Sequence, residues 1–307
     1  MKEFYSNGKL LLSGEYVVLD GATALAIPTS FGQSLRVEKI TEPVLNWKSI
    51  DFKGNTWFEG DFRFEKGQIK ATSNSGKNPE PISDKLQNIL TEAHKLNPEI
   101  LSESRGYKIS SRLDFPQNWG LGSSSTLINN ISQWFDIDPY QLLEKTFGGS
   151  GYDIASAQNE HAITYTLNNN KRQVLAAGFD PAFKNELFFV HLNRKQSSRE
   201  SIAHYRNQPK EKLEEAVEKI TSLTHQIIAS ENLPEFELFL EIHETVISQI
   251  IQTPKIKRQL FQDYPRAIKS LGGWGGDFIL ATGGEKEKEY FRSKGYETIV
   301  SYPEMVL

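Results

Sequence analysis

Three glycine-rich clusters constrain this chain more than any other feature of its sequence. They are GLGSSS (120 to 125), GGSG (148 to 151) and GGWGG (272 to 276), and each lies where a strand or loop meets the next predicted element. Glycine allows turns with positive φ and lets a bulky anion approach the backbone amides. Successive N–H groups at the start of a helix bind phosphate, helped by the helix dipole. One such cluster alone is compatible with an ordinary turn, so a phosphate site is a hypothesis that depends on all three.

The first cluster differs from the other two because three hydroxyls follow its glycines. A helix is predicted directly after it, since one apolar stripe recurs at helical spacing in Leu127, Ile128, Ile131, Trp134 and Phe135. Serines at this place either cap the helix or bind Mg²⁺ and a phosphate oxygen. A Walker A loop would need a lysine, and a dinucleotide-binding loop would need a third glycine where Ser125 stands. Neither standard nucleotide loop fits.

Composition excludes several other chemistries. The chain has no cysteine, so disulfides, thiolate nucleophiles and iron–sulfur clusters are excluded, and we expect a cytoplasmic protein. The six histidines show no metal-ligand spacing, and His243-Glu244, the nearest match, is expected to be solvated on a charged helix. No hydrolase GxSxG motif occurs.

Charge and hydropathy argue against two classes of partner. The 307 residues include 35 basic and 39 acidic side chains, a formal net charge of −4, so nucleic acid is not expected as a partner. No apolar run approaches the ~18 residues of a membrane span, and the first residues lack the apolar core of a signal peptide.

Hydrophobic periodicity predicts a mixed α+β chain. Strands are expected at 9 to 14, 15 to 21, 107 to 115, 186 to 192 and 277 to 283, with a β-meander over 34 to 70 and a hairpin over 162 to 178. Helices are expected at 82 to 96, 199 to 207, 210 to 230 and 234 to 251, with another ending at Gly272-Gly273 and a final helix and strand. Long charged amphipathic helices dominate the chain after about residue 180, and this change predicts domains over 1–178 and 179–307.

Four segments in order resemble the GHMP kinases, a superfamily of small-molecule kinases. KLLLSGEYVVLDGATALAIP (9 to 28) is similar to the first motif of the family, PQNWGLGSSS (116 to 125) to its phosphate loop, GSGYDIASA (149 to 157) to the segment with the catalytic aspartate, and GGWGGDFIL (272 to 280) to its third motif. Mevalonate kinases and phosphomevalonate kinases are the most similar branches. The resemblance implies a ribosomal-S5-like N-terminal domain and a ferredoxin-like C-terminal domain.

The resemblance also implies roles for residues of the phosphate site. Asp153 would accept the proton of the substrate hydroxyl, and Lys9 would lie beside it. Mg²⁺ would be held by Ser124 and Glu144, although the nine-residue separation of Glu144 from Asp153 is slightly shorter than the family pattern. The phosphates of ATP would bind to Gly120, Leu121, Gly122, Ser123, Ser124 and Ser125.

The acceptor is less well specified by the motifs. The resemblance implies contacts from Glu15, Tyr16, Lys195, Ser198 and Gly275, and an acceptor such as mevalonate or 5-phosphomevalonate. Tyr16 stands where mevalonate kinases have histidine, and Trp274 interrupts the third motif, which puts the acceptor in doubt. A kinase for a sugar or sugar phosphate, a diphosphomevalonate decarboxylase and a non-catalytic metabolite-binding protein all stay open. Either a monomer or a homodimer is compatible with the sequence.

Overall fold

The computed structural model describes residues 1–72, 80–169 and 171–307. These residues form two compact units that alternate along the chain. The first unit comprises Met1–Gly8, Phe31–Gln117 and Gly122–Gln158; the second comprises Lys9–Ser30, Asn118–Leu121 and Asn159–Leu307. The expected division at 178/179 stays a prediction.

The first unit contains a mixed sheet. Its strands come from β1 (Lys2–Ser13), β2 (Ala24–Ile40), β3 (Leu45–Ile50), β4 (Thr56–Glu65), β5 (Gln68–Ala71) and β6 (Gly106–Leu113). The strand order is β5-β4-β3-β6-β2, and β1 also pairs with β2. Only the β3–β6 pair among these five is parallel, with Trp47 opposite Ile109.

Helices of the first unit bury one apolar face each against this sheet. They are α1 (Glu80–Leu96), α2 (Ser123–Phe135), α3 (Pro139–Thr146) and α4 (Tyr152–Ala157). The predicted stripe on α2 is largely buried, since Ile128, Ile131, Trp134 and Phe135 join a core with Trp47 of β3. Asp138 caps α3 by accepting a hydrogen bond from the N–H of Tyr140.

The second unit contains an antiparallel sheet of four strands and most of the long helices. The sheet has the order β10-β11-β9-β12, and β7 pairs with β8 elsewhere in the unit. The strands are β7 (Ile163–Asn168), β8 (Lys171–Ala176), β9 (Leu187–His191), β10 (Ile268–Ser270), β11 (Phe278–Thr282) and β12 (Ile299–Ser301). The helices are α5 (Ser198–Arg206), α6 (Leu213–Ala229), α7 (Leu233–Ile250), α8 (Ile256–Leu260), α9 (Glu285–Ser293) and α10 (Tyr302–Met305).

Most sequence-based expectations are confirmed, including the hairpin over 162 to 178, of which Asn170 lies outside the described residues. Three are wrong. The β-meander expected over 34 to 70 is interrupted, because β6 pairs between β2 and β3 and only β3, β4 and β5 are successive neighbours. The segment 15 to 21 is not a strand but a short 3₁₀ turn at Val17–Asp20, because its two valines are buried in the core instead of pairing with a sheet. The helix expected to end at Gly272-Gly273 is replaced by β10, since Pro265 interrupts the helical pattern after the short α8.

No helix within the described ranges is long and apolar enough to cross a membrane.

Candidate functional site

The first glycine cluster packs closely against β1 and against Asp277. Gly120 and Gly122 both have positive φ, 69° and 90°. The backbone N–H of Lys9 donates to the Leu121 carbonyl at 3.0 Å, and its Nζ donates to the Gly120 carbonyl at 3.4 Å. A Cβ on Gly120 would collide with the carboxyl group of Asp277. Only glycine therefore fits at this position, and the loop is held beside the Lys9 ammonium.

The cluster leads directly into α2, whose first turn carries the three serines. Gly122 occupies the N-cap position and offers no side chain to bond the first amides. Ser124 is exposed, while Ser123 and Ser125 are half-buried. None of the three occupies the N-cap position, so capping does not account for them. Orphan amides with hydroxyls beside them are the groups that bind a phosphate anion.

Asp153 and Glu144 lie on two other helices of the first unit. Asp153 is in the first turn of α4 and is half-buried, following Gly151, whose φ is 89°. Glu144 is exposed on α3. The hydroxyl of Ser124 and the carboxylate of Glu144 are accessible oxygen donors, which fits a Mg²⁺ ion that keeps several of its waters. Lys9 belongs to the second unit, so its pairing with Asp153 stays a prediction.

Asp277 is a carboxylate beside the first glycine cluster that the sequence analysis did not single out. Burial raises its pKa, while the N–H of Gln196 and the nearby Lys9, His191 and Lys195 oppose that shift. Gln196 N–H donates to its Oδ1 at 3.3 Å. The only sequence signal was its place directly after GGWGG.

Glu15, whose contact with the acceptor stays a prediction, is in a buried group of charged side chains. Its carboxylate contacts the ammonium of Lys269, which also lies 3.2 Å from Oε1 of Glu244. The N–H and hydroxyl of Ser270 donate to Glu244 at 3.0 and 3.1 Å. Glu15 is 1% exposed, and Lys269 and Glu244 are fully buried.

His243 completes this group, and the expectation that His243 and Glu244 are solvated is wrong. Both have no exposed surface, because α7 turns this face toward β10 and the residues after β1. The N–H of Gly14 donates to Nε2 of His243 at 3.0 Å, so that nitrogen carries no proton and the ring is neutral.

Burial sets the ionisation of this group. It lowers the pKa of His243 well below its usual value, with Lys269 adding to the effect. It raises the pKa of Glu15, opposed by Lys269. It raises the pKa of Glu244 to about 7, again opposed by Lys269. Four titratable groups are thus held by one another in the interior of the second unit.

Comparison with solved structures gives many full-length matches. Methanococcus jannaschii mevalonate kinase has a TM-score of 0.67 at 15% identity, covering 97% of this chain and 96% of that one. Streptococcus pneumoniae phosphomevalonate kinase, solved with phosphomevalonate and AMPPNP, has a TM-score of 0.69 at 14% identity, covering 98% and 100%. Lactococcus lactis galactokinase, solved with galactose, has a TM-score of 0.69 at 13% identity, covering 100% and 93%.

The chain has the two-domain fold of the GHMP kinases. No protein-family model and no curated protein matches its sequence. The α+β class and the GHMP kinase fold expected from the four motifs are both confirmed.

The remaining acceptor candidates all lie in the second unit of this GHMP kinase fold. Tyr16 is buried, and its ring lies 5.5 Å from that of Tyr205 on α5. Lys195 and Ser198 are exposed just before and at the start of α5. Gly275 has a φ of 91° with open space where a side chain would be. Their contact with an acceptor stays a prediction.

Proposed function

We propose that this protein is an ATP-dependent kinase that transfers the γ-phosphoryl group to the hydroxyl of a mevalonate-type acceptor, mevalonate or 5-phosphomevalonate. The observation that carries the proposal is the phosphate loop. Its left-handed Gly120 and Gly122 lead into the uncapped start of α2, with the Lys9 ammonium beside it. The GHMP kinase fold and the motif order support it.

Phosphoryl transfer needs positioning and charge neutralisation more than covalent chemistry. The amides of 120 to 125 bind the β- and γ-phosphates of ATP. Asp153 accepts the hydroxyl proton of the acceptor, and the Lys9 ammonium stabilises the negative charge that develops on the acceptor oxygen. Ser124 and Glu144 would hold Mg²⁺, which supplies neutralisation of the phosphate charge when bound.

A cationic segment favours an anionic acceptor. Arg194, Lys195 and Arg199 are all exposed at the loop that precedes and begins α5. Such side chains bind a carboxylate or phosphate group. An uncharged sugar such as galactose has no anionic group for these side chains to bind, so a sugar kinase is the second candidate. A sugar phosphate does carry an anionic group and is compatible with the cationic segment.

The test is ADP release with Mg·ATP against mevalonate, 5-phosphomevalonate, galactose, homoserine and a heptose phosphate. Turnover with one of the first two supports the proposal. Turnover with a sugar would support a kinase but would reject a mevalonate-type acceptor. If ATP binds but no acceptor turns over, a metabolite-binding role replaces catalysis. A diphosphomevalonate decarboxylase would instead release CO₂ from diphosphomevalonate.

The metal assignment has its own test. Ser124→Ala should raise the free Mg²⁺ concentration needed for half-maximal turnover, because one oxygen donor is lost. An unchanged Mg²⁺ dependence would place the ion elsewhere.

A further inference from the structure

The turn that follows β1 is strained. Tyr16 has φ 67° and ψ −57°, and the N–H of Val17 donates to the carbonyl of Glu15 at 2.8 Å. This is a γ-turn with positive φ at its central residue, which is rare for any residue other than glycine. Such a conformation persists only where its surroundings hold it in place.

The two residues before Tyr16 are held by the buried charged group. Glu15 is bound through its carboxylate to Lys269, and Gly14 through its N–H to His243. Lys269 is in turn fixed by Glu244, which the N–H and hydroxyl of Ser270 also bind. The strained turn is therefore tied to α7 and β10 by side chains with almost no exposed surface.

The turn determines where the Tyr16 side chain lies. The Ser201 hydroxyl of α5 is near the Tyr16 hydroxyl and opposes the rise in the Tyr16 pKa that burial causes. Ser201 donates to the carbonyl of Gly273 at 3.2 Å and accepts from Nε2 of Gln196 at 3.1 Å. The γ-turn, the start of α5 and the third glycine cluster therefore meet at one hydroxyl, beside the segment that carries Lys195 and Ser198.

We infer that Lys269 is a positioning residue: its ammonium, held between Glu15 and Glu244, keeps the γ-turn in place and so orients Tyr16 and Ser201 beside the acceptor. The part about the acceptor rests on the proposed function. Lys269 does not contact the substrate in this account; it acts through Glu15. Breaking one partner of a buried ion pair leaves the other charge uncompensated, and Lys269→Met removes the cation from both Glu15 and Glu244.

The variants are Lys269→Met, Glu15→Gln and the double variant, with Lys219→Met on the exposed face of α6 as the matched control. Kinetics should show that Lys269→Met raises the acceptor KM about tenfold or more, with the Kd of ATP changed less than about twofold. Glu15→Gln should raise the KM in the same sense. The double variant should raise it by much less than the product of the two single effects, because the two residues act as one unit.

Amide hydrogen exchange of residues 14 to 17 gives a readout that needs no turnover. Exchange there should become faster in Lys269→Met and Glu15→Gln and stay unchanged in Lys219→Met. If Lys269→Met does not fold, Glu15→Gln carries the test alone. Unchanged exchange at the turn, or a lower melting temperature with an unchanged acceptor KM, would overturn the inference. Faster exchange in an enzyme that turns over none of the panel acceptors would reject the proposed function while the hold on the turn stands.

Discussion

The contacts of some residues in this protein reveal a structural role, whereas the contacts of others leave their role to be measured. Lys269 and Glu15 are a buried ion pair, whereas Asp153 is a half-buried carboxylate at a helix start. An acidic residue in the first turn is favourable beside the helix dipole, so stability alone is a sufficient reason for it. Activity measurements therefore decide the role of Asp153.

Asp153→Ala should abolish phosphoryl transfer while leaving ATP binding intact. The expected loss is on the order of 10² to 10⁴ in kcat, the usual contribution of a positioned base. Steady-state kinetics and nucleotide binding by calorimetry measure the two effects separately. Asp84→Ala, at an exposed position of α1, serves as the control. Full activity in Asp153→Ala would remove it as the base.

The stability of the protein should depend on pH through His243, because its ring is neutral in the folded state. The folded state excludes a proton that the unfolded chain binds below about pH 6.5, the ordinary pKa of histidine. The stability that this contributes is complete above pH 6.5 and is lost as the pH falls below it. Relative to His243→Gln, the protein should lose up to about 1.4 kcal/mol of unfolding free energy per pH unit. Urea unfolding at pH 7.5, 6.5 and 5.5 measures it, and parallel profiles for the two proteins would contradict it.

The elements around the phosphate loop owe their geometry to close packing. Gly120 and Gly54 have similar left-handed conformations, with φ of 69° and 89°. Only at Gly120 would a Cβ meet another group, the Asp277 carboxyl, whereas Gly54 has open space. The loop between β3 and β4 therefore provides a matched comparison for the phosphate loop.

Gly120→Ala should be more destabilising than Gly54→Ala. Both lose about 1 kcal/mol from the strain of positive φ, and Gly120→Ala should lose a further 1 to 3 kcal/mol, roughly the cost of overpacking. It should also weaken ATP binding, because relieving the collision displaces the loop. Denaturant unfolding and nucleotide titration measure the two effects. Equal losses for the two alanines would show that Asp277 does not constrain the loop.

The whole molecule has a GHMP kinase fold, although its sequence identity to the three kinases compared is only 13% to 15%. A fold can be retained at such identity while the reaction and the acceptor differ, so the fold alone specifies neither. Binding of the nucleotide is accordingly the property to measure on the intact protein.

Mg·ATP should stabilise the folded protein against heat. At 100 times its Kd a ligand that binds only the folded state adds about 2.7 kcal/mol to the free energy of unfolding. Thermal melts with Mg·ATP, with ATP in EDTA and with Mg²⁺ alone separate the contributions of the nucleotide and the metal. A midpoint that does not move with saturating Mg·ATP would argue against a nucleotide site.

The sequence by itself determined the local structure and the motif order. The stripe on α2 and the strand expected over 186 to 192 follow from hydrophobic periodicity, which acts over a few residues. The four segments in order predicted the GHMP kinase fold correctly. The glycine-serine loop that leads into α2 could also be predicted, because these residues carry a local signal, whereas its binding of phosphate stays a prediction.

Only the tertiary structure decided which charges are buried and with what partners. Glu15 and Lys269 are 254 residues apart, and no local pattern relates them. His243 and Glu244 have the spacing of a solvated helix, yet they are buried because Lys269 and the Gly14 amide reach them from other elements. The position of Asp277 against Gly120 likewise becomes visible only in the folded chain. Burial of a charge depends on partners that the fold brings together, and a sequence pattern specifies only neighbours along the chain.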